Sequence, residues 1–241
     1  MPDLHMVSLD FCVSSLLRVH RLPPGCSDLG YLMHSQLAAL FGSGSLGPFR
    51  LRERSHGAFN VLAYSDVSGD VLQARASEVA EPHYYACCQW SSLASKPMPP
   101  SWAVGRRLQF SVRVSPTERA AKASEHCRKG AERDAFLAAC GRMGPTQTLT
   151  RQAVYGDWLR KRMIDRGAEL GEVALDAFRF VKLLRKTQGT RRKGRLLDRP
   201  DATLTGSLTV TDGDLFAHGL LRGVGRHRAF GFGMLMLAPT P

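Results

Sequence analysis

The sequence predicts an α+β protein of two small domains with antiparallel sheets. Three observations carry that expectation. The chain has 241 residues, enough for one large or two small domains. Hydrophobic residues make up 44%, charged residues 22% and aromatics 8%, a globular composition that excludes a collagen-like, low-complexity or wholly disordered chain. Segments with strand alternation are interleaved with segments of helical period.

Each element follows in order. Residues 5–13 alternate loosely and read as a first strand, followed by a helical tract. Pro23, Pro24 and Gly25 break the chain. Ser27 or Asp28 can cap a helix running to about Phe41, which Gly42 stops. Leu29, Leu32, Met33, Leu37, Leu40 and Phe41 share one face of it. Residues 49–54 and 59–64 form a hairpin through Ser55, His56 and Gly57. Residues 67–77 suit a short helix, and 96–100 are a proline-rich connector. Leu108, Phe110, Val112 and Val114 alternate along 107–114, the clearest strand in the chain. In order this gives β-α-β-β-α-β, the ferredoxin-like arrangement, over residues 1–118. Residues 119–241 read as a second such domain carrying a helical insertion. Helices are expected at 132–140 and 152–166, extended chain at 173–184 and 203–210, and a helix at 214–222 that Asp212 caps and Gly223 ends. A last strand is expected at 230–237. There is no clean internal repeat.

The charge narrows the function. There are 33 Lys+Arg against 21 Asp+Glu, a net +12. Such a surplus favours a polyanionic partner, nucleic acid before membrane. No apolar stretch approaches the ~20 residues that span a bilayer, and the first residues lack the basic start and apolar run of a secretory signal. Cys12, Cys26, Cys87, Cys88, Cys127 and Cys140 form no C-x-x-C pair. They read as small apolar side chains of a reduced, cytoplasmic protein. The histidines form no H-x-x-x-H pair, so neither a metal nor another cofactor is expected.

Three features can carry chemistry. Arg179, Lys182, Arg185, Lys186, Arg191, Arg192, Lys193 and Arg195 place eight cations in seventeen residues, with no acid between Asp176 and Asp198. Such a run repels itself unless an anion neutralises it. Gly189 and Gly194 suggest a turn at its tip, and a basic hairpin of this kind can follow the phosphates of an RNA duplex; the plain alternative is a solvated loop. Next, Gly223, Gly225, Gly231 and Gly233 flank Arg226, His227 and Arg228. Glycines let a backbone approach a phosphate, and the basic side chains would hold it. The order helix, glycines, strand is the reverse of a dinucleotide-binding turn, which excludes that site. The competing reading is a tight loop whose glycines answer only to sterics. Finally, Tyr31 and His34 lie three residues apart on the first long helix, so they share a side of it, mostly opposite its apolar residues. Groups so placed suit proton transfer, although a histidine beside a tyrosine is also a common surface pair.

Together these features resemble a family. Tyr31, Leu32, Met33 and His34 resemble the Tyr-x-x-His element of CRISPR repeat-processing endoribonucleases of the CasE kind. Residues 108–117 resemble that family's strand ending in an Asn-Pro or Ser-Pro turn, 206–212 its strand before the last helix, and 223–237 its C-terminal glycine-rich loop. The resemblance implies two ferredoxin-like (RRM-like) domains. It implies a metal-independent cut at the base of the repeat stem-loop of a precursor CRISPR RNA, by attack of the 2′-hydroxyl on the adjacent phosphate. The products would carry a 2′,3′-cyclic phosphate and a 5′-hydroxyl, and the enzyme would remain on mature CRISPR RNA as a subunit of an effector ribonucleoprotein of type I-E or type IV. His34 would be the general acid or base and Tyr31 its orienting partner. From their charge, Arg226, His227 or Arg228 would steady the phosphorane. RNA contacts would come from the basic run, from Gly223, Gly225, His227, Gly231 and Gly233, and from Arg18 and Arg21. If arginines rather than histidine cut, Arg18, Arg21, Arg226 and Arg228 are the candidates. The runner-up is a silent subunit that only holds the stem-loop; the third reading is a basic α+β protein with no RNA role.

Overall fold

Strict alternation of buried and half-exposed residues produces the strand that organises the second half of the molecule: Leu108, Phe110, Val112 and Val114 are buried and the residues between them are not. In a computed structural model, residues 3–20, 29–42, 44, 46–54, 57–123, 128–142, 148–186 and 194–240 are described. The first half runs β1 (His5–Cys12), α1 (Val13–Val19), α2 (Leu29–Phe41), β2 (Phe49–Glu53), β3 (Ala58–Ser65), α3 (Gly69–Val79), α4 (Pro82–Tyr85) and β4 (Cys88–Pro97). The second half runs β5 (Arg107–Val114), β6 (Thr117–Arg119), β7 (Glu132–Asp134), α5 (Ala135–Cys140), α6 (Arg151–Ile164), β8 (Ala168–Lys186), β9 (Gly194–Val210), α7 (Gly213–Arg222) and β10 (Leu235–Pro239).

Two four-stranded antiparallel sheets result, ordered β2-β3-β1-β4 and β10-β5-β9-β8. Renumbered within its own half, each has the same order, with its first and third strands in the middle. That is the ferredoxin-like arrangement, present twice. In the second half the first crossover is enlarged by the β6–β7 pair and α5 ahead of α6. Asp134 opens α5 by accepting a hydrogen bond from the Phe136 amide, which satisfies one orphan donor of the helix.

Three expectations need correction. Residues 107–114 do not close the first sheet; they are the inner strand of the second, paired with β9 and β10. The closing strand is β4, which runs along the edge beside β1. Its residues are mostly exposed or half-exposed, so an edge strand with little to bury shows no apolar period. The sheets therefore divide between Pro97 and Arg107, ahead of the expected division at 118. The final strand also starts later than expected. Arg228–Phe230 is a 3-10 turn, and left-handed Gly231 and Gly233 separate it from β10. The segment expected to open with a helix at 132 opens with β7 instead.

The halves share apolar contacts. Leu4, just ahead of β1, and Leu62 and Tyr64 of β3 pack in the cluster formed by β5, β9, α6 and α7. The buried Tyr64 hydroxyl donates to the Leu235 carbonyl at 2.9 Å. No described helix is long and apolar enough to cross a membrane.

Candidate active site and nucleic-acid interface

Helix α2 buries Leu32, Met33, Gln36, Leu37, Leu40 and Phe41, and leaves Tyr31, His34, Ser35 and Ala38 half-exposed. The second set is spaced i, i+3, i+4, i+7, one stripe of a helix. Opposite that stripe lies the loop that follows α7. Its path is set by left-handed residues: Gly223 (φ 69°), Gly225 (φ 78°), His227 (φ 59°), Gly231 (φ 83°) and Gly233 (φ 80°). The loop is pinned by Val224 N–H donating to Gly233 O at 2.9 Å and by Gly233 N–H donating to Arg113 O at 2.7 Å. This brings Phe230 against α2. Its ring is stacked with Tyr31 at 6.2 Å and edge-on to His34 at 5.3 Å. Burial holds the His34 imidazole below its ordinary value, because an apolar wall disfavours the charged ring.

The four glycines do not face open space. A Cβ on Gly225 would stand 2.7 Å from the Trp158 ring, on Gly223 2.7 Å from Pro48, on Gly231 3.2 Å from Phe49, and on Gly233 2.3 Å from the Val224 carbonyl. Positive φ and crowding explain them without a phosphate. This is the steric reading of the loop.

Glu132 forms the other wall. It comes from β7 and its side chain is 6% exposed. Arg226 Nε lies 2.8 Å from its Oε1; His227 Nε2 and Arg199 Nη2 each lie 3.3 Å from its Oε2. Contact with His227, then the charges of Arg226 and Arg199, outweigh burial and pull the carboxyl down to about 2. Arg228 donates to the Arg222 carbonyl at the end of α7. Tyr31, His34, Glu132, Gly225, Arg226, His227, Arg228 and Phe230 thus line one cleft of roughly 870 Å³, with Leu183, Leu184 and Leu197 of the β8–β9 hairpin along its edge.

The remaining expected residues separate into groups. Arg179 and Lys182 lie on β8 in a second cleft. Arg179 shares the buried Asp201 with Arg113, at 2.9 and 2.8 Å, and the paired guanidiniums hold that carboxyl down against the cost of burial. Arg18 is exposed in the last turn of α1 and lines neither cleft. Arg185, Lys186 and Arg195 stand near the end of the hairpin, described in backbone alone, and Arg21, Arg191, Arg192 and Lys193 lie outside the described residues.

With this geometry in place, a family model described as CRISPR associated protein matches residues 17–239. The chain belongs to that family. The expected resemblance to the CasE kind is borne out by a relative, the CRISPR-associated endoribonuclease Cse3 of Thermus thermophilus, 29% identical over 150 residues. That match covers 60% of this chain and 61% of the relative's length. The fold is similar to Thermus thermophilus Cse3 bound to an RNA representing a pre-cleavage complex, with a TM-score of 0.62 and 22% identity over 98% of this chain and 100% of that one. It is also similar to a chain of a CRISPR RNA-guided surveillance complex, with a TM-score of 0.57 and 16% identity, again over 98% and 100%.

Within this CRISPR-associated chain, sequence reasoning missed Glu132 and Phe230 as parts of the cleft. Glu132 looked like a helix start, and its partners come from β9 and the α7–β10 loop. An acid followed by Arg133 gives no local signal. Phe230 looked like the first residue of a strand. The signal that it ends a turn was present in the Gly-x-Gly that follows it.

Proposed function

We propose that this chain is an endoribonuclease that cuts precursor CRISPR RNA at the base of the repeat stem-loop without a metal ion. It then stays on the product as a subunit of an effector ribonucleoprotein. One observation carries the reading: a histidine and a tyrosine from the opening helix share a cleft with a basic loop from the far end of the chain. A net charge of +12 suits a phosphate-rich substrate.

The chemistry is a transesterification. The 2′-oxygen attacks the adjacent phosphorus, the bond from phosphorus to the 5′-oxygen breaks, one proton leaves the 2′-hydroxyl and one reaches the 5′-oxygen. His34, whose proton affinity burial lowers, suits the first transfer. Tyr31, one turn away on the same stripe, orients it or the attacking hydroxyl. Arg226, held by Glu132, supplies a positioned positive charge for the phosphorane. Arg228 steadies the loop by one bond to the α7 terminus. With both of these loop arginines engaged by partners, His34 is favoured over them as the proton-transfer group.

The test is incubation of the protein with its cognate repeat RNA in EDTA, followed by analysis of the product ends. Cyclic phosphate and 5′-hydroxyl ends are expected. Tight binding without cleavage, in EDTA and in magnesium alike, would instead establish the silent stem-loop-binding subunit.

A further inference from the structure

We infer that Asp201 is a positioning residue for the cleavage centre: it locks Arg113, and through Arg113 the glycine loop that presents Phe230 to His34. This rests on the reaction proposed above and names a control on its geometry.

Strand register builds the network. Asp201 of β9 stands directly opposite Arg179 of β8. Arg113 of β5 is paired with Thr203, two residues from Asp201 and therefore on the same face of the sheet. The Asp201 carboxylate, 6% exposed, accepts two bonds from Arg113, one from Nε at 2.8 Å and one from Nη2 at 3.0 Å. Arg179 Nε donates to the same carboxylate at 2.9 Å. A forked pair of this kind fixes the plane of a guanidinium as well as its position.

The glycine loop rests on that plane. The Arg113 guanidinium carbon lies 4.2 Å from the centre of the buried Phe232 ring. A Cβ on Gly231 would stand 3.6 Å from its third nitrogen, Nη1. The Arg113 carbonyl accepts from the Gly233 amide at 2.7 Å. One residue thus meets 231, 232 and 233 in turn, and Phe230 is next along the chain. On its other side Phe230 closes the turn at 228–230, its amide donating to the His227 carbonyl at 2.8 Å. The ring so held meets His34 edge-on at 5.3 Å.

Strand pairing does not need these charges. Backbone ladders already join β5 and β8 to β9, and a buried ion pair adds little net stability over an apolar one. The triad supplies position instead. A reacting constellation tolerates only about 0.5 Å of displacement, so a carboxylate that fixes the support of the loop bears on the reaction without touching the RNA.

The test reads the His34 ring as well as the reaction. Burial lowers the proton affinity of His34 below its ordinary 6.5, so a loop that no longer seats Phe230 should let it rise. The titration midpoint of His34 is followed by NMR in the free protein. Single-turnover cleavage of the repeat RNA is followed against pH in EDTA, at saturating protein. In Asp201→Asn the midpoint is expected to move up towards 6.5, with cleavage falling a few-fold near pH 6 and changing little near pH 8. Phe230→Ala should do the same, and the double variant should move the midpoint no further than Phe230→Ala alone. Arg113→Lys keeps a charge beside Asp201 but lacks the fork and the flat plane. It should shift the midpoint while melting close to wild type, which separates seating of the loop from folding. Tyr31, Glu132, Arg226, His227 and Arg228 share the cleft with His34, and these substitutions alter none of them. An unmoved midpoint in folded Asp201→Asn and Arg113→Lys would overturn the proposal, as would a shift that adds to that of Phe230→Ala. A midpoint that responds as expected, in a protein that binds repeat RNA without cutting it, would uphold the coupling and overturn the endoribonuclease reading.

Discussion

The cleft beside α2 has two walls, each holds one histidine, and the walls treat them in opposite ways. His34 stands on a helix stripe against the Phe230 ring, where burial lowers the proton affinity of the imidazole. His227 sits in a left-handed loop position, 3.3 Å from a carboxylate that also holds two arginines. In the proposed reaction one wall supplies a proton acceptor, while the other holds a carboxylate between two arginines. A histidine's role is decided by what faces it, and identity and spacing alone do not report that.

The largest expected effect breaks the comparison if it fails. His34→Ala should lower the single-turnover cleavage rate by about 10²–10⁴-fold, the scale of a positioned acid or base, with RNA affinity held within a few-fold. His227→Ala should cost less than about tenfold in rate, because it removes a strut rather than a proton carrier. Equal losses from the two variants would show that both walls do chemistry.

The second effect concerns the charged wall. Glu132→Ala leaves Arg199 and Arg226 without their counter-ion, and removing one partner of a buried pair costs about 3 kcal/mol. In a chain of this size that is a fall in Tm of several degrees. The dependence on pH has a definite sign. The folded carboxyl titrates at about 2, below its ordinary 4.5. Its stabilisation is therefore complete above about 4.5 and is lost as the pH falls towards 2. Glu132→Gln should flatten that stretch of the curve of Tm against pH, measured by calorimetry. An unaltered slope would remove Glu132 from the scaffold.

Most of the fold was legible because most elements bury one face. α2, the β2–β3 hairpin, β5 and α7 all carry their period in the sequence, and the Tyr31 and His34 stripe stands out as the polar gap in the period of α2. β4 escaped because an edge strand buries too little to impose alternation, and its absence moved β5 into the wrong sheet. The site was half legible. Sequence placed Tyr31, His34 and the basic loop among the candidates, and folding brought them to one cleft. Glu132 and Phe230 are defined by long-range contacts from separate elements, which no local pattern encodes. The glycines were legible as a cluster, but their reason was not: Trp158, Pro48 and Phe49 crowd them from distant parts of the chain.

The smallest effect sharpens the comparison most finely. If Phe230 keeps water from His34, Phe230→Ala should change the pH at which the enzyme works rather than whether it works. Burial lowers the proton affinity of His34 below its ordinary 6.5, so the neutral ring persists to more acidic pH, and protonation below that point costs both activity and stability. Wild-type single-turnover cleavage should hence show an acidic limb below 6.5. Opening the wall should carry that limb back towards 6.5, with a loss of a few-fold in rate near pH 6 and little change near pH 8. A limb that stays in place in Phe230→Ala would assign the desolvation to α2 and its other neighbours. A wild-type rate that instead falls as the pH rises through the His34 titration would mean that His34 acts as the protonated partner, giving its proton to the departing 5′-oxygen.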